Sequence, residues 1–97
     1  AFYSSDERLK DNIIPLRNAT DKIKQIGGYE FDWNDKQNVY EGHDVGVIAQ
    51  EVEKVLPEVV QTRKDGYKGV KYEKLVPLLI ESIKELTQRI EELERRD

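Results

Sequence analysis

The stretch YEKLVPLLIESIKELTQRIEEL, residues 72–93, decides the fold because its apolar side chains recur in alternating steps of four and three residues. This spacing is typical of the a and d positions of a coiled-coil heptad. The a positions are Val76, Ile83 and Ile90 and the d positions are Tyr72, Leu79, Leu86 and Leu93, here called the heptad stripe. We therefore predict a long helix over about residues 74–96, which packs on helices of sister chains.

The first half of this helix has a wider apolar face, because Leu75, Leu78 and Ile80 flank the stripe. A wider face is typical of a helix that packs on its own domain. We expect residues 75–83 to contact the domain and residues 83–93 to contact sister helices, with Arg89 facing Glu94 of a parallel neighbour. Isoleucine at a with leucine at d favours two strands. A helix folded back along its own domain is the alternative.

The residues upstream of the long helix predict short elements. Apolar residues spaced near 3.6 predict one helix over about residues 16–26 and another over 48–56. Tyr29, Phe31 and Trp33 alternate with polar residues, which indicates a half-buried strand. Three further short strands are predicted over residues 45–48, 59–62 and 67–70, and the Asp65-Gly66 pair between the last two suits a hairpin turn. The sequence therefore predicts an α+β fold: a small domain of short strands and helices with a long C-terminal helix.

Composition narrows the classes of partner. A chain of 97 residues forms one small domain, and it has no cysteine to staple it, so association with copies of itself is the remaining route to stability. A net charge of -4 with both signs mixed along the chain argues against a nucleic-acid surface. No apolar run approaches the roughly 20 residues that span a bilayer, so no membrane partner is expected.

No cofactor or metal is expected either. Asp32 and Asn34 are spaced as in a calcium loop, but Gln37 stands where that loop requires glycine. The chain also contains the residue types of a Ser-His-Asp triad, with His43 as its single histidine and Asp44 beside it. A single histidine in a polar loop is, however, expected to be exposed and inert.

Ser5 and Lys10 are a candidate nucleophile and base, because a neutral lysine can deprotonate a serine hydroxyl. Five residues apart, they lie about 140° apart around a helix and on opposite faces of a strand. Only a turn, or a lysine from a neighbouring subunit, could bring them together. The competing interpretation is a capping box, in which Ser4 caps a short helix and Glu7 reaches back.

Three segments taken together resemble the self-cleaving intramolecular chaperone family of phage endosialidase tailspikes, neck appendages and tail fibres. They are SDERLKDNI at 5–13, GVIAQEVEKVLPE at 46–58 and GYKGVKYEKLVPLLIESIKEL at 66–86. The resemblance implies a homotrimer with a parallel coiled coil, a catalytic dyad of Ser5 and Lys10, and cleavage of the Ser4–Ser5 bond. It also implies a division into an upstream remnant over 1–4, a globular part over 5–73 and the long helix over 74–96.

The function implied by the resemblance is that of a chaperone which trimerises, directs folding of the upstream fibre of the same polypeptide and then cuts itself off once. Assembly would take place in the host bacterial cytoplasm, and the parent fibre would lie in the virion tail. Because the spacing of Ser5 and Lys10 is unfavourable, we expect cleavage only in the trimer. Two alternatives are a trimerisation cap that never cuts, and a monomeric partner-binding module built around Trp33.

Overall fold

The computed structural model describes residues 2–96, and in these residues it has an α+β fold, as predicted. The elements in chain order are α1 Ala19–Ile23, β1 Tyr29–Asp32, β2 His43–Gly46, α2 Ala49–Val55, β3 Val60–Thr62, β4 Lys68–Val70 and α3 Val76–Arg95. Short 3-10 turns at Glu7–Leu9, Pro57–Val59 and Tyr72–Leu75 precede or join them. The molecule measures 55 × 38 × 24 Å along its principal axes.

The four strands form two separate antiparallel hairpins. In the first, Tyr29 lies opposite Gly46 and Asp32 lies opposite His43. In the second, β3 pairs with β4 across the predicted turn, where Gly66 has a φ of +90°. Glycine adopts this left-handed conformation without steric cost, so the turn follows directly from the sequence.

Two predicted elements differ from the structure by two or more residues at both ends. The strand expected at 45–48 runs instead over His43–Gly46, because backbone pairing with β1 continues to Asp32 and Trp33 N–H then donates to Gly42 O at 3.0 Å. The helix expected at 16–26 is α-helical only over Ala19–Ile23. Its last turn tightens, since Ile26 N–H donates to Ile23 O three residues back.

The core lies where α1, α2 and the start of α3 meet. Its buried apolar side chains are Ala19, Val52, Leu56, Val59 and Leu78. Leu16, Ile23 and Leu75 are among the half-buried residues that pack around them. Burial of a leucine or valine side chain contributes about 1.5–3 kcal/mol each, so a core of this size leaves the single chain only modestly stable.

Helix α3 presents two different faces. Leu78 and Ser82 are buried, and Leu75 and Glu85 are half-buried, so this face contacts α1 and the core. All seven residues of the heptad stripe are exposed, with Ile83 63% exposed. The domain contact therefore extends past Ile83 to Glu85 on a separate face, whereas we expected a single face to change partner near Ile83.

Glu85 joins α3 to the start of α1. Its two carboxylate oxygens accept the backbone N–H groups of Ala19 and Thr20, both at 3.0 Å. The side chain of the N-cap residue Asn18 makes no capping hydrogen bond. Glu85, on a helix that is distant in sequence but adjacent in space, caps α1 instead. The Thr20 side chain and these two N–H groups hold the pKa of Glu85 below its ordinary value.

Tyr72 joins the base of α3 to the first hairpin. Its hydroxyl oxygen accepts Val47 N–H at 3.0 Å, directly over Gly46. A Cβ atom at Gly46 would lie 2.5 Å from that oxygen. The absence of a side chain at Gly46 therefore allows the hairpin to pack against the turn that leads into α3.

Candidate active site

The candidate site is built on one 3-10 turn, Glu7–Leu9, in the N-terminal segment. The residues on either side of the turn, Asp6 and Lys10, both have extended backbone conformations. Leu9 N–H donates to Asp6 O and Lys10 N–H donates to Glu7 O, each at 3.1 Å. The chain therefore runs extended, makes a single tight turn and becomes extended again.

This turn brings Ser5 and Lys10 together within one chain. Lys10 Nζ lies 2.8 Å from Ser5 Oγ, which is hydrogen-bonding distance. A continuous helix or strand would have kept the two side chains apart. The spacing left two ways to bring them together, a turn or a lysine from a neighbouring subunit, and the structure has the turn. A base within this distance of a serine hydroxyl has the geometry of a nucleophile and its activator.

The capping box expected at Ser4 is wrong. Asp6 is the N-cap of the turn, since its Oδ1 accepts the backbone N–H of Arg8 at 2.8 Å. The sequence by itself did not single out Asp6 as a cap. The available signal was the high preference of aspartate for N-cap positions, which points to Asp6 once the turn is placed at Glu7–Leu9.

Arg8 also grips the Asp6 carboxylate with its side chain. Arg8 Nε donates to Oδ1 at 3.1 Å and Nη2 donates to Oδ2 at 2.9 Å. The Arg8 side chain, followed by the Arg8 backbone N–H, lowers the pKa of Asp6, and Asp6 in turn raises the pKa of Arg8. Asp6 therefore stays a carboxylate, with both of its oxygens directed at Arg8.

The whole segment lies open to solvent in the single chain. Every residue from 2 to 15 is exposed, including Ser5, Lys10 and the apolar side chains of Leu9, Ile13 and Ile14. A lysine accepts a proton only in its neutral form, and burial favours that form. A surface that covers this segment would therefore promote the chemistry of the dyad.

His43 has other partners. Its Nδ1 lies 3.0 Å from Asp32 Oδ1 and its Nε2 lies 3.0 Å from Glu30 Oε1, across the first hairpin. Hydrogen bonds to Glu30 and then Asp32 raise the pKa of His43. Asp44 instead accepts Trp33 Nε1–H at 3.0 Å. The histidine is 58% exposed, as expected, and it acts as a cross-strand ion-pair partner.

Within residues 2–96, the structure has no cluster of three or more histidine, cysteine, aspartate or glutamate side chains arranged to hold a metal. In the same part of the chain, α3 and the shorter helices all fall short of the length and apolarity needed to cross a membrane.

Comparison with known proteins finds that the sequence pattern of the family described as chaperone of endosialidase matches residues 5–61. The match begins at Ser5 and contains Lys10 and the whole of the first hairpin. The chain belongs to this family. The matched residues include the SDERLK turn, the first hairpin and α2.

The relatives of this family member include long tail fibre proteins of phages. Long tail fiber protein Gp37 of Enterobacteria phage K3 is 35% identical over 98% of this chain, which corresponds to 8% of that protein. The protein of the same name from Salmonella phage S16 is 39% identical over 96% of the chain and 13% of its own length. In Enterobacteria phage M1 the identity is 35%, over 39% of the relative. The chain thus spans only a small part of these fibre proteins.

Proposed function

We propose that this chain is the C-terminal intramolecular chaperone of a phage tail fibre, which forms a homotrimer and then releases itself by cutting the Ser4–Ser5 bond. The 2.8 Å contact between Ser5 Oγ and Lys10 Nζ carries the catalytic part of the proposal. Similarity to long tail fibre proteins over nearly the whole chain supports the assembly part.

The exposed heptad stripe supports association through α3. Its seven apolar side chains are 44–63% exposed, and those on α3 lie on a face next to the one that contacts α1. Pairing this stripe with those of sister helices in a parallel coiled coil removes it from water. Heptad rules by themselves favour two strands, and the trimer is proposed on the resemblance to the trimeric chaperone family.

Trimerisation gives the chaperone a physical means of action. Fibres of interwound strands depend on contacts between chains that are distant in sequence, so their folding nucleates slowly and competes with aggregation. A coiled coil at one end holds three upstream segments together and raises their effective concentration. Removal of the chaperone after folding leaves a fibre protected by a high unfolding barrier.

The proposed reaction uses the two side chains in fixed order. Neutral Lys10 takes the proton from Ser5 Oγ, which attacks the carbonyl carbon of Ser4. The bond between that carbon and the Ser5 nitrogen breaks, and the proton passes from Lys10 to the departing amine. The resulting ester between Ser4 and Ser5 Oγ is hydrolysed by water, leaving a carboxylate at Ser4 and a free amine at Ser5.

Assembly supplies the condition that the single chain lacks. Ser5 and Lys10 are in contact but exposed in the single chain, whereas burial favours the neutral lysine that a base requires. Subunits that come together at the base of α3, or the upstream fibre once folded, would cover the N-terminal segment and favour neutral Lys10. The enzyme is therefore proposed to act once, on its own chain, and only after assembly.

The test compares the intact mass of this chain, extended by its natural upstream segment, with that of its Ser5→Ala variant. We expect the wild type to yield two fragments separated between Ser4 and Ser5, and Ser5→Ala to remain whole while forming the same trimer. A matched Ser4→Ala variant, which keeps the dyad, should still be cut. An intact wild type would refute self-cleavage.

One observation favours a second function, a trimerisation cap that never cuts. The solvent-open position of Lys10 is the wrong environment for a base as long as nothing covers it. The same mass comparison separates the two functions, because a pure cap gives identical intact masses for wild type and Ser5→Ala.

A further inference from the structure

The turn that joins Ser5 to Lys10 depends on very few interactions. Two backbone hydrogen bonds close it, from Leu9 and Lys10, and Asp6 Oδ1 adds a third by accepting Arg8 N–H. A first helical turn is unfavourable on its own, because it fixes several dihedral angles for one or two bonds. The N-terminal cap is therefore a large part of what favours this conformation over an extended chain.

Both oxygens of the Asp6 carboxylate accept hydrogen bonds from Arg8. Its Oδ1 accepts from the backbone and Nε of Arg8, and its Oδ2 accepts from Arg8 Nη2. A forked, charge-assisted contact of this kind holds a carboxylate in one orientation. The side-chain hydrogen bonds of Asp6 are all made with Arg8, whereas Lys10 Nζ donates to Ser5 Oγ.

We infer that Asp6 is a positioning residue for self-cleavage: its carboxylate holds the turn that delivers Lys10 Nζ to Ser5 Oγ, and it takes no part in making or breaking bonds. Arg8 assists by fixing the carboxylate. This inference rests on the proposed function, and it gives a positioning role to Asp6 and Arg8, two of the four residues between nucleophile and base.

The experiment measures the rate of cleavage in the chain carrying its natural upstream segment, for Asp6→Ala, Asp6→Asn and Arg8→Ala. Native mass spectrometry gives the trimer fraction of each variant, and rates are expressed per assembled trimer. Loss of the cap in Asp6→Ala is expected to slow cleavage about five- to tenfold, since alanine is a poor N-cap. Asparagine caps as well as aspartate, so Asp6→Asn should stay within about twofold of wild type.

Arg8→Ala keeps the capping bond from the backbone N–H of residue 8 and removes only the side-chain contact with the Asp6 carboxylate. Its cleavage rate should therefore lie between those of Asp6→Asn and Asp6→Ala. Glu7→Ala is the matched control, because Glu7 contributes a backbone carbonyl to the turn and that group survives the substitution. We expect Glu7→Ala to cleave at the wild-type rate.

Two results would overturn the inference while leaving the proposed function intact. One is Asp6→Ala cleaving as fast as wild type. The other is Asp6→Asn being as slow as Asp6→Ala, which would mean that the charge of Asp6 acts on the chemistry. A wild type that never cleaves refutes the proposed function itself, and the role of Asp6 falls with it.

Discussion

The contact between Ser5 and Lys10 lies within one chain, and this determines how mixed assemblies should behave. Lys10 Nζ reaches Ser5 Oγ at 2.8 Å through a turn made by the same chain. The turn removes the need for a lysine from a neighbouring subunit to complete the dyad, although a neighbour can still cover the site.

Mixed trimers of Ser5→Ala and Lys10→Ala subunits should therefore show no cleavage. Each chain lacks one member of its own dyad, and a dyad within one chain cannot be completed by the other subunit. The measurement is intact mass after co-expression of the two variants with distinguishable tags. Trimers of Ser5→Ala and wild-type subunits are the control, and only their wild-type chains should be cut. Cleavage in the mixed trimers of Ser5→Ala and Lys10→Ala subunits would show that the base comes from a neighbouring chain.

At the scale of elements, α1 is held in place by the side chain of Glu85 on α3. A helix of 5 residues is far too short to be stable by itself. Its first two N–H groups are satisfied by Glu85, and Thr20 and Ser82 hydroxyls meet between the helices at 3.3 Å. The position of α1, and with it part of the core, thus depends on an ionised carboxylate.

Stability should accordingly fall in acid through Glu85. Because the pKa of Glu85 is lower in the folded chain than its ordinary value of 4.5, its contribution is present above about pH 4.5 and is lost as the pH falls through the lowered pKa. Thermal melts of wild type and Glu85→Gln should differ in Tm at pH 7 and converge as the pH falls through the lowered pKa of Glu85.

The matched control for that experiment is Glu92→Gln, an exposed glutamate two turns further along α3. Its Tm should follow that of the wild type at every pH. If the difference in Tm between wild type and Glu85→Gln persists unchanged into acid, the loss of charge is not what destabilises the variant. That result would contradict the role of an ionised Glu85.

At the scale of the whole molecule, α3 has one face that packs on the domain and another that is exposed. The helix of 20 residues is about 30 Å long, and one face contacts the domain while the heptad stripe faces solvent. Leu78 is fully buried, whereas Ile83 and Ile90 are more than half exposed. Substitutions on the two faces should therefore have different consequences.

Asparagine at Ile83 and Ile90 should convert the proposed trimer to monomer with little change in helix content, because these side chains are more than half exposed and lie outside the core cluster. Leu78→Ala should instead lower the free energy of unfolding by about 2–5 kcal/mol. Sedimentation gives the association state, and circular dichroism with chemical denaturation gives the stability.

The control substitution is Lys84→Asn, which lies on neither face and is 72% exposed. It should leave both quantities unchanged. A chain that stays trimeric after both isoleucine substitutions would show that the heptad stripe is not the contact between subunits.

The elements with strong local signals could be predicted from sequence, and those with weak ones could not. The heptad repeat and the Asp65-Gly66 turn identified α3 and the second hairpin, because periodicity and turn chemistry depend on neighbouring residues. Strand β2 began earlier than predicted, since its polar residues pair by backbone hydrogen bonds to β1. Asp6 was not singled out because its role depends on where a marginal turn begins.

The amino-acid sequence alone determined the α+β class, the long C-terminal helix with its apolar stripe, and the motifs that place Ser5 and Lys10 in a known family. Only the tertiary structure decided that Leu78, Ser82 and Glu85 form a face separate from that stripe, and that one turn joins Ser5 to Lys10. The physical reason is range: side-chain periodicity is a local property, whereas the partner of each face depends on contacts between residues more than 60 positions apart.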